Sequence, residues 1–301
     1  LYQKNDGMAH LDLSVPVSDS TLFPIFSCSK IFSVMAIHQL IQTGKLRLDQ
    51  NIQDLLAGLP QKWKGIQIQH LLSHSLGLTD IYAYRADPEK QAAEKVYQAD
   101  LQFSPGERFA YNQSNYWFLS RIVKKKTRLS LTEYVLNHRF DKGSKSVLFE
   151  GNPRKIVKNQ ATMYDDFDQA GILCESTYDI PPYTYGASGM AISLAQFIAW
   201  DQKLIKQRWL PTALQTKLLK PFPYQQINFP EDYDFSYGLS LIRHQGEWTY
   251  GFTGSAASAY RHYPKRKLSS ILLANGMFTP RGEGGGIDEV VNGVADILNI
   301  H

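Results

Sequence analysis

The sequence is poor in several features that would each have decided a class. With only two cysteines, Cys28 and Cys174, in 301 residues, it has neither a disulfide framework nor a thiolate set for a metal, and both are expected to be free thiols. No stretch reaches about 18 consecutive apolar residues, so no membrane-spanning helix is expected. Net charge is only +4. The basic clusters are local: "KKKTR" at 124–128 closes an apolar helical run, where cations suit a helix C-terminus, and "PKRK" at 264–267 reads as an exposed turn between strands. Both are expected to be solvated, and no nucleic-acid partner is implied. Internal repeats are absent. "RGEGGG" at 281–286 lacks the Gly-Lys-Ser/Thr ending of a phosphate loop and reads as a linker. The chain opens on Leu1, with no Met and no signal-peptide pattern, which points to a processed or trimmed chain.

What is present is the composition of a globular protein, 43% hydrophobic and 20% charged, long enough for one large or two ordinary domains. A turn-rich opening with short β-type runs leads into an apolar helix through Ile31, Phe32, Val34, Met35, Ile37, Leu40 and Ile41, with Gly44 as its stop. Helical patterns follow from about 52 to 140: "IQDLLAGL", "IQIQHLLSHSLGL", "DPEKQAAEKVYQADL" and "NYWFLSRIVKKKT". Residues 141–187 are irregular, and 188–205 return to helix. From about 235 the pattern becomes an antiparallel meander, closed by a helix with an apolar stripe over Ile287, Val290, Val291, Val294, Ile297 and Leu298. The expected class is α+β of the α/β-sandwich type, an antiparallel β-sheet flanked by helices with an inserted mainly helical subdomain. Residues 1–60 and 186–301 would form the sheet domain and 61–185 the insert.

One residue breaks the apolar pattern. Lys30 heads the first helix, among hydrocarbon, where an unpartnered amine is costly. Ser27 stands three residues earlier, so on a helix the two share a face with Cβ atoms about 5–6 Å apart, whereas Ser29 projects elsewhere. A lysine in a dry pocket has a lowered pKa and can take the serine proton, and free backbone N–H groups at a helix start can stabilise an oxyanion. Taken alone, a capping serine followed by a snorkelling lysine explains the pair equally well. His70 and His74 are four apart on a helical segment, but Leu71, Leu72 and Ser73 stand where a zinc protease needs its glutamate, so no metal is assigned. Asp165, Asp166 and Asp168 are expected to be solvated.

Five motifs in order, "TLFPIFSCSKIF", "HLLSHSLGLTD", "PGERFAYNQSNYWFL", "SGMAISLAQF" and "GFTGSAASAY", resemble the serine β-lactamase and penicillin-binding-protein-like hydrolases, in the class C-like branch. The resemblance covers nearly the whole chain and begins inside the first hairpin, so the family's opening helix and first strand look absent. It implies a β-lactamase/transpeptidase-like fold, Ser27 as nucleophile, Lys30 as its partner and Tyr111 as the tyrosine that shares the base role. A phenol beside a cationic amine is easier to ionise. Phe252, Thr253 and Gly254 match the strand motif, and the backbone N–H of Ser255 would join that of Ser27 as oxyanion hole. Two positions depart from the pattern. Gln113 stands where relatives have asparagine, and Phe252 where they have lysine or histidine to pair with a substrate carboxylate.

The implied function is a serine hydrolase acting on an ester or amide carbonyl through a Ser27 acyl-enzyme, esterase- or D-amino-acid-peptidase-like rather than an efficient β-lactamase. The alternative is a penicillin-binding or sensor-type protein of the same fold with little turnover. Substrates would be small-molecule esters, peptides or β-lactams, with no cofactor and no metal. The family implies a bacterial periplasmic or other extracytoplasmic setting.

Overall fold

The computed structural model describes residues 1–166, 172–206, 216–226, 229, 231–255, 258–277 and 286–298. Strands β1 (Met8–His10) and β2 (Val15–Pro16) make the opening hairpin, and β3 (Phe23–Pro24) leads into a 3-10 turn over Phe26–Cys28. The turn runs directly into helix α1 (Ser29–Gln42), which ends before a left-handed Gly44. Ile31, Phe32, Val34, Met35, Ile37 and Leu40 are buried, and so are Ser29, Lys30, Ser33 and His38. A helix buried on every side is a central helix of the core, and its polar residues must find partners inside the protein.

The next segment holds less helix than its apolar spacing predicts. "IQDLLAGL" forms a single 3-10 turn at Ile52–Asp54, and within "IQIQHLLSHSLGL" only Ile68–Leu72 (α2) is helical. Positive φ at Gly58, Gly65 and Gly77 breaks the runs into turns. Three regular helices follow, α3 (Glu89–Gln98), α4 (Ser114–Thr127) and α5 (Leu131–Arg139). Lys124, Lys125 and Lys126 occupy the last turn of α4, and a Ser130–Glu133 capping box starts α5.

The irregular region contributes strands β4 (Val147–Phe149), β5 (Tyr164–Asp165) and β6 (Cys174–Glu175). Asp166, expected in solvent, is buried; Asp168 lies outside the described residues. The run expected as one helix over 188–205 is instead the end of α6 (Tyr185–Ser188), then strand β7 (Met190–Ile192), then α7 (Leu194–Lys206). β7 pairs with β3 on one side and β4 on the other. A three-residue apolar strand has no period of its own to distinguish it from the start of a buried helix.

The main sheet is the expected meander: β8 (Tyr233–Phe235), β9 (Ser240–His244), β10 (Glu247–Gly254), β11 (Ser258–Tyr263) and β12 (Leu268–Leu272), all antiparallel and adjacent in sequence order. β13 (Gly276–Met277) pairs with β5, and α8 (Ile287–Leu298) ends the described chain. Alternation along β11 shows the layers. Tyr260 packs on Phe197 and Trp200 and bonds Asp201, all from α7, whereas Arg261 and Tyr263 reach Asp288 and Asn292 of α8. The architecture is therefore an antiparallel sheet between helices, with α2–α5 joined to the same apolar core. The "PKRK" turn is not wholly solvated. Arg266 folds back onto Asp296 at 2.8 Å and Glu247 at 3.5 Å. Among the described residues, no helix is long and apolar enough to cross a membrane.

Candidate active site

The site is organised by the turn between β3 and α1. Phe26 takes a left-handed conformation (φ 42°), which is costly for a residue with a Cβ and is held by its surroundings. It brings Ser27 to the mouth of α1. Cys28 fastens the turn from below, donating from Sγ to the carbonyls of Phe252 (3.0 Å) and Ser258 (3.3 Å). Burial pushes its thiol up to about 12, so it packs as an inert thiol. Gly254, the last residue of β10, lies flat against the turn. A Cβ there would collide with the Ile25 carbonyl and stand 3.4 Å from Cys28 N. Ser29 is spoken for elsewhere, its Oγ accepting from Met190 N at 3.1 Å.

Lys30 is wholly buried. Its Nζ lies 3.2 Å from Ser27 Oγ and 3.0 Å from the Ala187 carbonyl of α6, and over the rings of Tyr111 (4.8 Å) and Tyr116 (5.1 Å). Loss of hydration pushes its pKa down to about 7, and the charge of Asp80 opposes the shift without reversing it. An amine so placed is substantially neutral near neutrality.

Tyr111, on the loop before α4, donates its hydroxyl to Ser27 Oγ at 2.8 Å. Ser27 Oγ is thus held between an amine and a phenol. The phenol expected to ionise easily does the opposite. Desolvation raises its pKa above the ordinary value, against smaller pulls from Ser27 and the Gln113 side chain. The residue is 44% exposed overall, and solvent at its open edge tempers the shift without changing its direction. Tyr111 therefore rests protonated. The Gln113 amide, the first departure from the pattern, turns towards this phenol, while its backbone N–H donates to Asp80 Oδ1 at 3.1 Å.

Phe252, the second departure, is buried and meets Phe235 edge to face at 5.8 Å. On the other face of β10, the Thr253 hydroxyl donates to Asp288 Oδ1 at 3.0 Å, and buried Arg261 meets the same oxygen at 2.5 Å. Tyr111, Phe252, Thr253, Arg261 and Asp288 border one small cavity of about 130 Å³. His262 points away, to Ser269 Oγ at 2.9 Å, and burial pushes its pKa down to about 4. Ser255 follows Gly254 and is exposed. Among the described residues, no three His, Cys, Asp or Glu side chains converge as a metal site.

Four contributors have no clear mark in the sequence. Ala187 acts through a carbonyl, which no side chain announces. Asp288 reads as an ordinary first-turn acid of the last helix. His74 and Asp80 lie inside the motif "HLLSHSLGLTD", and that motif's place between Lys30 and Tyr111 is the only signal that could have found them.

The fold is of the β-lactamase and transpeptidase architecture. Within it, the chain belongs to the Beta-lactamase family, whose profile matches residues 1–292. It is 29% identical over 208 residues to protein flp of Staphylococcus aureus, covering 66% of this chain and 38% of that protein. It is 22% identical over 304 residues to penicillin-binding protein 4* of Bacillus subtilis, covering 91% of this chain and 65% of that protein. The chain thus spans less than two thirds of the length of either curated relative. The D-amino acid amidase of Ochrobactrum anthropi superimposes with a TM-score of 0.79 at 19% identity, over 97% of this chain and 88% of that one. EstCE1, a hydrolase with promiscuous acyltransferase activity, does so with 0.75 at 20% identity, over 95% and 87%. At such identities the structural likeness is one of fold.

Proposed function

We propose that this protein hydrolyses small esters or amides through an acyl-enzyme on Ser27. The observation that carries the proposal is the position of Ser27 Oγ, 3.2 Å from a buried lysine pushed down to about 7 and 2.8 Å from a protonated phenol. Neutral Lys30 takes the Oγ proton as Oγ attacks the carbonyl carbon. The oxyanion is received by the backbone N–H groups of Ser27 and Ser255. As the intermediate collapses, Tyr111 gives its proton to the leaving oxygen or nitrogen and is reprotonated from Lys30, so the proton lost by Ser27 leaves with the product. Water then attacks the acyl-enzyme, giving its proton to the same pair and returning Oγ–H to Ser27.

The preferred substrate lacks a carboxylate. Phe252 offers no charge where a carboxylate would bind, and the cation behind it, Arg261, is already paired with Asp288. A substrate carboxylate would meet the Asp288 charge as well as the guanidinium. Esterase or amidase activity is therefore placed ahead of β-lactam hydrolysis. An extracytoplasmic setting belongs to the proposal on the strength of the family alone.

The test compares kcat/KM for a short-chain aryl ester, a D-amino acid amide and a cephalosporin, in wild type and Phe252→Lys. Wild type is expected to favour the uncharged substrates. The variant is expected to shift the ratio towards the cephalosporin by about tenfold, the worth of one charge-assisted hydrogen bond. A wild type that prefers the cephalosporin, with a ratio unmoved by Phe252→Lys, contradicts the proposed preference. The second reading, a penicillin-binding or sensor-type protein, draws on the amide of Gln113 being turned to Tyr111. It requires acylation without measurable deacylation.

A further inference from the structure

Tyr111 sits on a loop with an open outer edge, yet its hydroxyl must be held at one height over Ser27. The backbone on both sides of it and its ring are fixed by one residue, His74. The His74 carbonyl accepts from Ala110 N at 2.8 Å, and His74 Nδ1 accepts from Asn112 N at 3.0 Å. Between these two bonds the imidazole lies flat against the phenol, with ring centres 4.6 Å apart and planes 15° from parallel. Asn115 Nδ2 brings a second N–H to Nδ1 at 3.0 Å and also ties the Asn112 carbonyl at 2.8 Å.

This bonding fixes the tautomer. A backbone N–H can only donate, so Nδ1 carries the lone pair and the ring proton is on Nε2. The ring is fully buried and sits against Phe109, Tyr116 and Phe235 as well as Tyr111. Burial, and behind it the charge of Lys30, holds its pKa well below the ordinary value. An imidazolium would break both Nδ1 bonds and set a second cation beside Lys30. His74 itself adopts φ 53°, a left-handed conformation that costs a side-chain-bearing residue energy. Phenylalanine could supply the stacking and a turn residue the carbonyl, but only a neutral histidine supplies the ring and the Nδ1 acceptor together.

We propose that His74 is the positioning residue of Tyr111: its neutral, Nε2-protonated ring sets the height and tilt of the phenol over Ser27. It acts through Tyr111 and touches no substrate. The inference rests on the preceding reading, in which Tyr111 passes the proton.

The test is a double-mutant cycle on kcat/KM for a short-chain alkyl ester, whose acylation step needs the proton that Tyr111 delivers, with fluorophosphonate labelling and intact mass locating the adduct. His74→Phe keeps the stacking and loses the acceptor, and His74→Asn keeps an acceptor and loses the ring. Circular dichroism selects the folded variant, and His74→Gln replaces either that fails. In the wild-type background each substitution is expected to lower kcat/KM about tenfold or more. In the Tyr111→Phe background the same substitution should lower it less than about threefold, because the group it positions is gone. An equal loss in both backgrounds, or no loss in the first, overturns the inference. Wild type that is not labelled at Ser27 removes the functional reading and this inference with it, whereas a labelled wild type with an additive cycle removes the role of His74 alone.

Discussion

In the proposed mechanism the chemistry turns on Lys30, and its cost and its use have one cause. Dehydration disfavours the ammonium, so the amine is neutral where catalysis needs a base. Activity should therefore rise with pH along an acid limb centred near 7, set by Lys30 losing its proton. Asp80→Asn removes the charge that holds this pKa up and should move the limb to lower pH. A limb unaffected by Asp80→Asn would mean that another group titrates. The same physics has a stability side. Because the folded pKa is depressed from 10.5 to about 7, the unfolded chain binds a proton between those values that the folded chain lacks. Wild-type stability should thus rise with pH through that window. Lys30→Met should abolish acylation yet melt higher than wild type below about pH 7, with the difference shrinking towards pH 10. Ser27 and Lys30 were legible together because three residues of separation bring them within one turn of chain. Tyr111 was legible only through motif order, and His74 and Asp288 hardly at all, because their partners are brought to them by tertiary packing.

Among the elements, β10 does most to shape the site. Its end supplies Gly254 against the nucleophile turn, its inner face Phe252, and its outer face the Thr253 hydroxyl held by Asp288. Gly254 has no positive φ, so space alone requires it to be glycine. Gly254→Ala should push the Ile25–Cys28 turn away from the strand and cost about a hundredfold in acylation rate, the order expected from a displacement near 1 Å. Kinetics on the folded variant check this, and an unchanged rate would show that the turn has room to yield. The meander was legible from its turns and alternation. Helix α1 was legible from its spacing, although its burial on every side was not. β7 was hidden inside an apolar run, and α2 was overestimated, because short buried segments take their conformation from neighbours rather than from their own periodicity.

At the scale of the molecule, the order of elements carries the fold: short strands and α1 first, helices α2–α5 next, the meander and last helix at the end. Closing that circuit lays β10 beside the α1 turn and carries the Tyr111 loop over it, so a phenol 84 residues away in the chain meets the Ser27–Lys30 pair at the serine oxygen. The central claim is that this oxygen is the nucleophile. The direct measurement is intact-mass and peptide-mapping analysis of wild type and Ser27→Ala after treatment with a fluorophosphonate. A single adduct on Ser27, lost in a Ser27→Ala protein that remains folded, is the predicted result. Labelling that persists in Ser27→Ala, or that maps to Ser29, would contradict it.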